Sequence, residues 1–221
     1  MEAELRKASL FPSQECPVVD LERFIDRHLG ARLDQYAPLP KNVLGQTEFF
    51  VDEAPRILVN ADLTGAGMDD DQSQFGLHGR WRATLAHEAA HVLMHRTLFE
   101  MVGEQGSLFE ADESNRTSQR LMRCLKGDVL FRDGATDWRE VQANRGMAAL
   151  LMPAPVFGRI ATMMASRFGL ETAKLLSGSS PARRLASETA KMVGVSQEAA
   201  RIRLLTLGIV SSHGQVRLEG L

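Results

Sequence analysis

The residues best suited to chemistry in this 221-residue chain are His87-Glu88-Ala89-Ala90-His91, two histidines four apart with a glutamate between them. On a helix, residues four apart are rotated by about 40° and displaced by about 6 Å, so both imidazoles reach one cation. Glu88, adjacent to His87 and three before His91, is left beside that cation rather than on it. A general base for a metal-bound water belongs there. No helix breaker falls between Trp81 and Phe99. A five-residue match of this kind arises by accident on the order of once per hundred proteins. The alternative, a helix that merely shows two histidines to solvent, is outweighed by the helical context and apolar flanks, so the motif implies a metal site.

A catalytic site of the zinc type commonly takes three protein ligands and leaves one position open for water. His95 continues the ladder, but on a straight helix it lies about 12 Å along the axis from His87, too far to share its ion. No glycine follows His91 to turn the chain back, as it does where a third histidine completes such a site. His28, His78 and His213 stand isolated. A carboxylate on a second helix remains, and Glu140 is the best placed, with Asp137, Glu104, Glu110 and Glu113 competing. Asn144, one turn beyond Glu140, is suited to accept the free N–H of a ligating imidazole. Cys16 is read as incidental rather than a thiol that gates the metal, and Tyr36, the one tyrosine, as a packing residue.

These residues need elements to hold them. Helical spacing predicts a long helix over Arg80 to about Phe99 and another from Trp138 to Met152, stopped by Pro153. A short helix is expected after Asp20, an N-cap, ending at Gly30. Thr47–Val51 and Arg56–Asn60 read as strands around the Asp52–Pro55 turn. Leu63–Gly79, with its Asp69-Asp70-Asp71 triplet, reads as a solvated loop. In the insertion over 101–137 a helix is expected around Ser118–Leu125. Helices are predicted over Val156–Phe168, Ala182–Met192 and Gln197–Leu207, and a β-like stretch over Gly214–Leu218. Two segregated strands among many helices make an α+β chain, mostly helical.

The run Arg82-Ala-Thr-Leu-Ala-His-Glu-Ala-Ala-His-Val-Leu-Met-His95 resembles the active-site helix of the ImmA/IrrE family of metallopeptidases. Glu140-Val-Gln-Ala-Asn-Arg-Gly-Met-Ala-Ala-Leu-Leu-Met-Pro153 is similar to that family's second signature, and Ile57–Asn60 sits where the family has a strand. The resemblance covers roughly Phe49 to Pro153 and implies His87, His91 and Glu140 as ligands of Zn2+ (or Mn2+), with Glu88 as catalytic base. It departs from the family at the common Leu-Gly, here Ala89-Ala90, at the usual aromatic after Ala-Asn-Arg, here Gly146, and in a longer insertion between the motifs. It further implies a zincin-like peptidase domain over 1–170 and a protein substrate, a helix-turn-helix transcriptional repressor cut in a stress or mobile-element response.

The tail over 180–221 has a helix-turn-helix cadence, with Ser196 as N-cap of its second helix, and Val195-Ser-x-x-Ala-x-x-x-Arg-Leu-x-x-Leu-Gly208 tails accompany the protease in the same family. Arg201 and Arg203 are the bases there that would approach phosphates. With 26 Lys and Arg against 28 Asp and Glu, a net charge of -2 favours packing or partner docking over nucleic-acid binding. The chain is expected to lack the GAF-like sensor that some members append. Hydrophobic residues at 44% and charged residues at 24% exclude a disordered chain. No apolar run approaches the ~20 residues of a membrane helix. Two cysteines, Cys16 and Cys124, build no disulfide framework, so a reducing, cytoplasmic compartment is expected. The expectation is a metallopeptidase using Glu88-assisted attack of metal-bound water. The rival is a non-catalytic regulator or antitoxin-like protein-binding module with a structural metal.

Overall fold

The computed structural model describes residues 1–50, 53–65, 71–106, 120–125, 138–171 and 175–212, with the backbone alone for 65, 71–75, 100–106 and 120–125. The chain is α+β and mostly helical, and it divides into two compact units. One comprises Met1–Phe11 and Asp20–Leu150, the other Pro12–Val19 and Leu151–Leu221. This division differs from the expected break between 170 and 180. The reason is that the helix following Pro153 packs its apolar face on the next helix of the tail.

In the first unit, α1 (Glu2–Lys7) is a helix that charge alternation concealed. Asp20 caps α2 (Leu21–Arg23) by accepting from the Arg23 N–H at 3.0 Å. The chain runs on through a π-helical turn, Phe24–Leu29, to Gly30 in the left-handed region at φ 61°. Phe24 and Ile25 are thereby buried without remainder. Four strands follow: β1 (Arg32–Ala37), β2 (Val43–Phe49), β3 (Arg56–Asn60) and β4 (Arg120–Leu125), in the order β1-β3-β2-β4. β1 runs parallel to β3, and β2 runs antiparallel to both β3 and β4. β2 starts and ends earlier than its sequence suggests, because all seven of its residues are buried and no alternation marks it. β1 escaped prediction because its Arg32-Leu-Asp-Gln-Tyr surface is largely exposed, as befits an edge. Residues 120–125 form a strand, not the expected helix. The free edge of β2 supplies backbone partners there, and pairing overrides local helix spacing. At the end of β3, Asn60 ties the sheet's connection together by donating to the carbonyls of Leu39, Pro40 and Val43 at 3.2, 3.1 and 2.7 Å.

The expected loop over 63–79 is largely helical. α3 (Ala61–Gly65) and then α4 (Asp71–Gly106) occupy it, the latter extending the expected helix at both ends. Gly76 and Gly79 lie inside it, since a helical glycine costs only about 1 kcal/mol and a long helix carries that. Asp71 opens α4, while Asp69 and Asp70 fall outside the described residues. α4 lies on β2 and β3, and its Leu85, Ala86, Ala89 and Val92 are buried. α5 (Trp138–Leu151) ends as Pro153 requires.

In the second unit, α6 (Ala154–Arg167) buries Val156, Phe157, Ile160, Ala161, Met164 and Ala165. α7 (Ser180–Val193) and α8 (Gln197–Thr206) are each capped by a serine, Ser179 and Ser196, and are separated by Gly194 at φ 67°. Leu185, Ala186, Ala190, Ala200 and Leu204 fill this small core. The stretch expected over Gly214–Leu218 lies outside the described residues. Among the described residues, no single helix is long and apolar enough to cross a membrane.

Candidate metal centre

α4 and α5 each present a polar face inside an otherwise apolar packing. From α4 come His87, Glu88, His91 and His95, of which the first three have no exposed surface and the last 1%. α5 brings Glu140, Gln142 and Asn144. The helices approach closely where Gly146 meets Ala90: a Cβ on Gly146 would lie 2.7 Å from the Ala90 Cβ and 3.0 Å from the Met94 Cε. An aromatic side chain at 146 has no room there.

Two imidazole nitrogens and the two oxygens of one carboxylate converge. His87 Nε2 is 3.0 Å from His91 Nε2 and 3.1 Å from Glu140 Oε2, and His91 Nε2 is 3.3 Å from Glu140 Oε1. Ligand bonds of about 2.0–2.2 Å in a tetrahedral site place ligand atoms about 3.3–3.6 Å apart, and the separations here come near that. The group can hold a metal ion. Electrostatics favour a cation there. The hydrogen bonds and charges of His87 and His91 pull the Glu140 carboxyl down to about 2 despite its burial. Burial opposes a charged His87, but the hydrogen bond to Glu140 and the Glu88 and Glu140 carboxylates outweigh it, and its pKa lies above the ordinary value. His91 goes the other way. Burial lowers its pKa, and the neighbouring His87 and His95 add to that.

The surroundings orient each group. Asn144 Oδ1 lies 3.1 Å from His87 Nδ1, and an amide oxygen only accepts, so that nitrogen carries the proton. Thr47, fully buried on β2, donates its hydroxyl to Glu88 Oε2 at 2.6 Å. β2 can come this near because residue 45 is glycine. A Cβ there would lie 2.6 Å from Thr84 Cγ2 and 2.8 Å from Glu88 Oε1. Neither Thr47 nor Gly45 could be nominated from the sequence, because the pairing of β2 against α4 spans 41 residues.

The remaining candidates lie elsewhere. His28 bonds Glu4 at 3.0 Å and stacks on Phe24, and His78 stacks on Trp81. Tyr36 is 71% exposed on β1, and Cys16 is exposed. Asp137, Glu110, Glu113 and His213 fall outside the described residues, as does the side chain of Glu104. In the tail, Arg201 is held by Glu198 at 2.6 and 2.8 Å, and Arg203 donates twice to the Met152 carbonyl at 2.8 and 3.0 Å. Both bases nominated for phosphates thus have partners within the second unit. Scans against known protein families and curated proteins find no match to this chain.

Proposed function

We propose that the chain is a zinc-type metallopeptidase that hydrolyses a peptide bond in a protein substrate. The observation that carries this reading is the convergence of His87, His91 and Glu140 on one point, with the Glu88 carboxylate following His87 on the same helix. Two neutral imidazoles and one carboxylate suit zinc, with manganese as the other candidate. Such an ion supplies Lewis acidity toward a carbonyl and toward water. His87, His91 and Glu140 would hold it, and Asn144 keeps the His87 ring in its ligating tautomer. Glu88 accepts the proton of the attacking water and returns it to the leaving amine, and Thr47 fixes the plane of its carboxylate. Apolar packing from Leu85, Ala89 and Val92 keeps bulk water from the helix behind the site. By its resemblance to the ImmA/IrrE family, the fold is a zincin-like core with a helix-turn-helix-like tail, and the substrate is a helix-turn-helix repressor in the cytoplasm. The pairing of Arg201 and Arg203 supports a packing or docking role for the tail.

Glu88→Gln tests the reading. Co-incubated with a repressor encoded beside it, the zinc-loaded wild-type protein is expected to cleave and the variant to bind zinc equally but leave the repressor intact. If wild type and variant both leave it intact while both bind it, the chain is a binding module with a structural metal.

A further inference from the structure

We propose that His95 and Gln142 are positioning residues that set the tautomer of His91 and hold its Nε2 lone pair toward the cation. The proposal rests on the reading of His87, His91 and Glu140 as metal ligands. His95 is too far along α4 to be a ligand itself. Its ring instead lies behind His91, with Nδ1 3.0 Å from His91 Nδ1, and its Nε2 lies 3.0 Å from Gln142 Oε1 on α5.

The direction of each proton follows from the far end of this chain. The Gln142 carbonyl only accepts, so His95 Nε2 carries the hydrogen. The Nδ1 of an uncharged His95 is then an acceptor, and His91 must donate its own Nδ1–H to it. That leaves His91 Nε2 with a lone pair aimed at His87 Nε2, 3.0 Å away, and at Glu140 Oε1, 3.3 Å away. Asn144 imposes the same tautomer on His87 from the other side. With both rings uncharged, two lone pairs and a carboxylate face one another, a repulsion that a cation between them relieves. Both acceptors behind the imidazoles are uncharged, and among the described residues Glu140 is the one anion in the His87–His91–Glu140 group. His95 is 1% exposed, which leaves no room for solvent to replace it as acceptor. A histidine kept only to fill the core would need no such ordered donor and acceptor pattern.

The test measures zinc affinity of the full chain by competition with a chromophoric chelator. Alongside it, long-range proton–nitrogen NMR reads the His91 tautomer in the metal-free protein. His95→Leu is expected to weaken zinc by about 10–100-fold and to lose the Nδ1-protonated form of His91. His95→Asn, whose Oδ1 can take the place of the ring Nδ1, is expected to restore most of both. Gln142→Leu, at a half-buried position, should weaken zinc in the same direction and serves if His95→Leu does not fold. Zinc affinity of His95→Leu within about threefold of wild type, or His91 protonated on Nε2 in the wild-type protein, overturns the proposal. Either result leaves the metal site standing, whereas a wild-type protein that binds no zinc removes both.

Discussion

The contact between β2 and the Thr84–Glu88 turn of α4 can be loaded with a single methyl group. In Gly45→Ala the new Cβ would lie 2.6 Å from Thr84 Cγ2, 2.8 Å from Glu88 Oε1 and 3.1 Å from Glu88 Cγ. Thr84 has no exposed surface, and its hydroxyl donates to the Arg80 carbonyl at 3.0 Å, so turning the methyl away breaks that bond. Glu88 is tied in turn by Thr47 at 2.6 Å. Overpacking of this kind costs about 1–3 kcal/mol. Gly158→Ala on α6 is the control, because its Cβ meets nothing within 4 Å. A helical glycine so placed should gain about 0.5–1 kcal/mol on becoming alanine. Urea unfolding should show Gly45→Ala with a lower midpoint at unchanged slope and Gly158→Ala with a higher one. Zinc affinity of folded Gly45→Ala should match wild type, since no ligand is touched, while any hydrolysis falls with the displaced base. Wild-type stability in Gly45→Ala would refute the close packing of β2 on Glu88. A folded variant that has lost zinc would refute the separation of base from ligands.

Two further outcomes follow from other parts of the molecule. Because the His87 pKa is raised above 6.5 in the metal-free protein, a proton competes with the cation below that pKa, so zinc affinity should rise with pH by about one decade per unit and level off above it; calorimetric titration in buffers of different ionisation enthalpy reads the released proton, and a pH-independent affinity contradicts it. Arg203→Ala should cost about 1.5–3 kcal/mol by removing two charged hydrogen bonds to the Met152 carbonyl, and Arg201→Ala, which breaks an exposed pair with Glu198, less than about 1 kcal/mol; equal effects in urea unfolding would contradict the difference in their settings.

What the sequence revealed and what it hid have the same physical origin. His87, Glu88 and His91 were readable because a single helix fixes their relation, and Asn144 because it sits one turn beyond Glu140. His95 was set aside as a ligand on helix spacing alone, and its place behind His91 depends on Gln142. That residue is two positions from Glu140, a spacing that would put it on the opposite side of α5. Thr47 and Gly45 act across a strand-to-helix contact that no local pattern encodes. β4 shows the same limit, since its conformation follows from the open edge of β2 rather than from its own residues. The contact between Ala90 and Gly146 likewise joins two small residues far apart in the sequence, which no local pattern pairs.

His87, His91 and Glu140 are proposed to close around one divalent cation. Zinc stoichiometry and affinity of the wild-type chain against Glu140→Ala test it most directly. One tightly held zinc per chain is expected, lost or greatly weakened when the Glu140 carboxylate is removed. Wild-type protein without saturable zinc, or Glu140→Ala binding it undiminished, would contradict it.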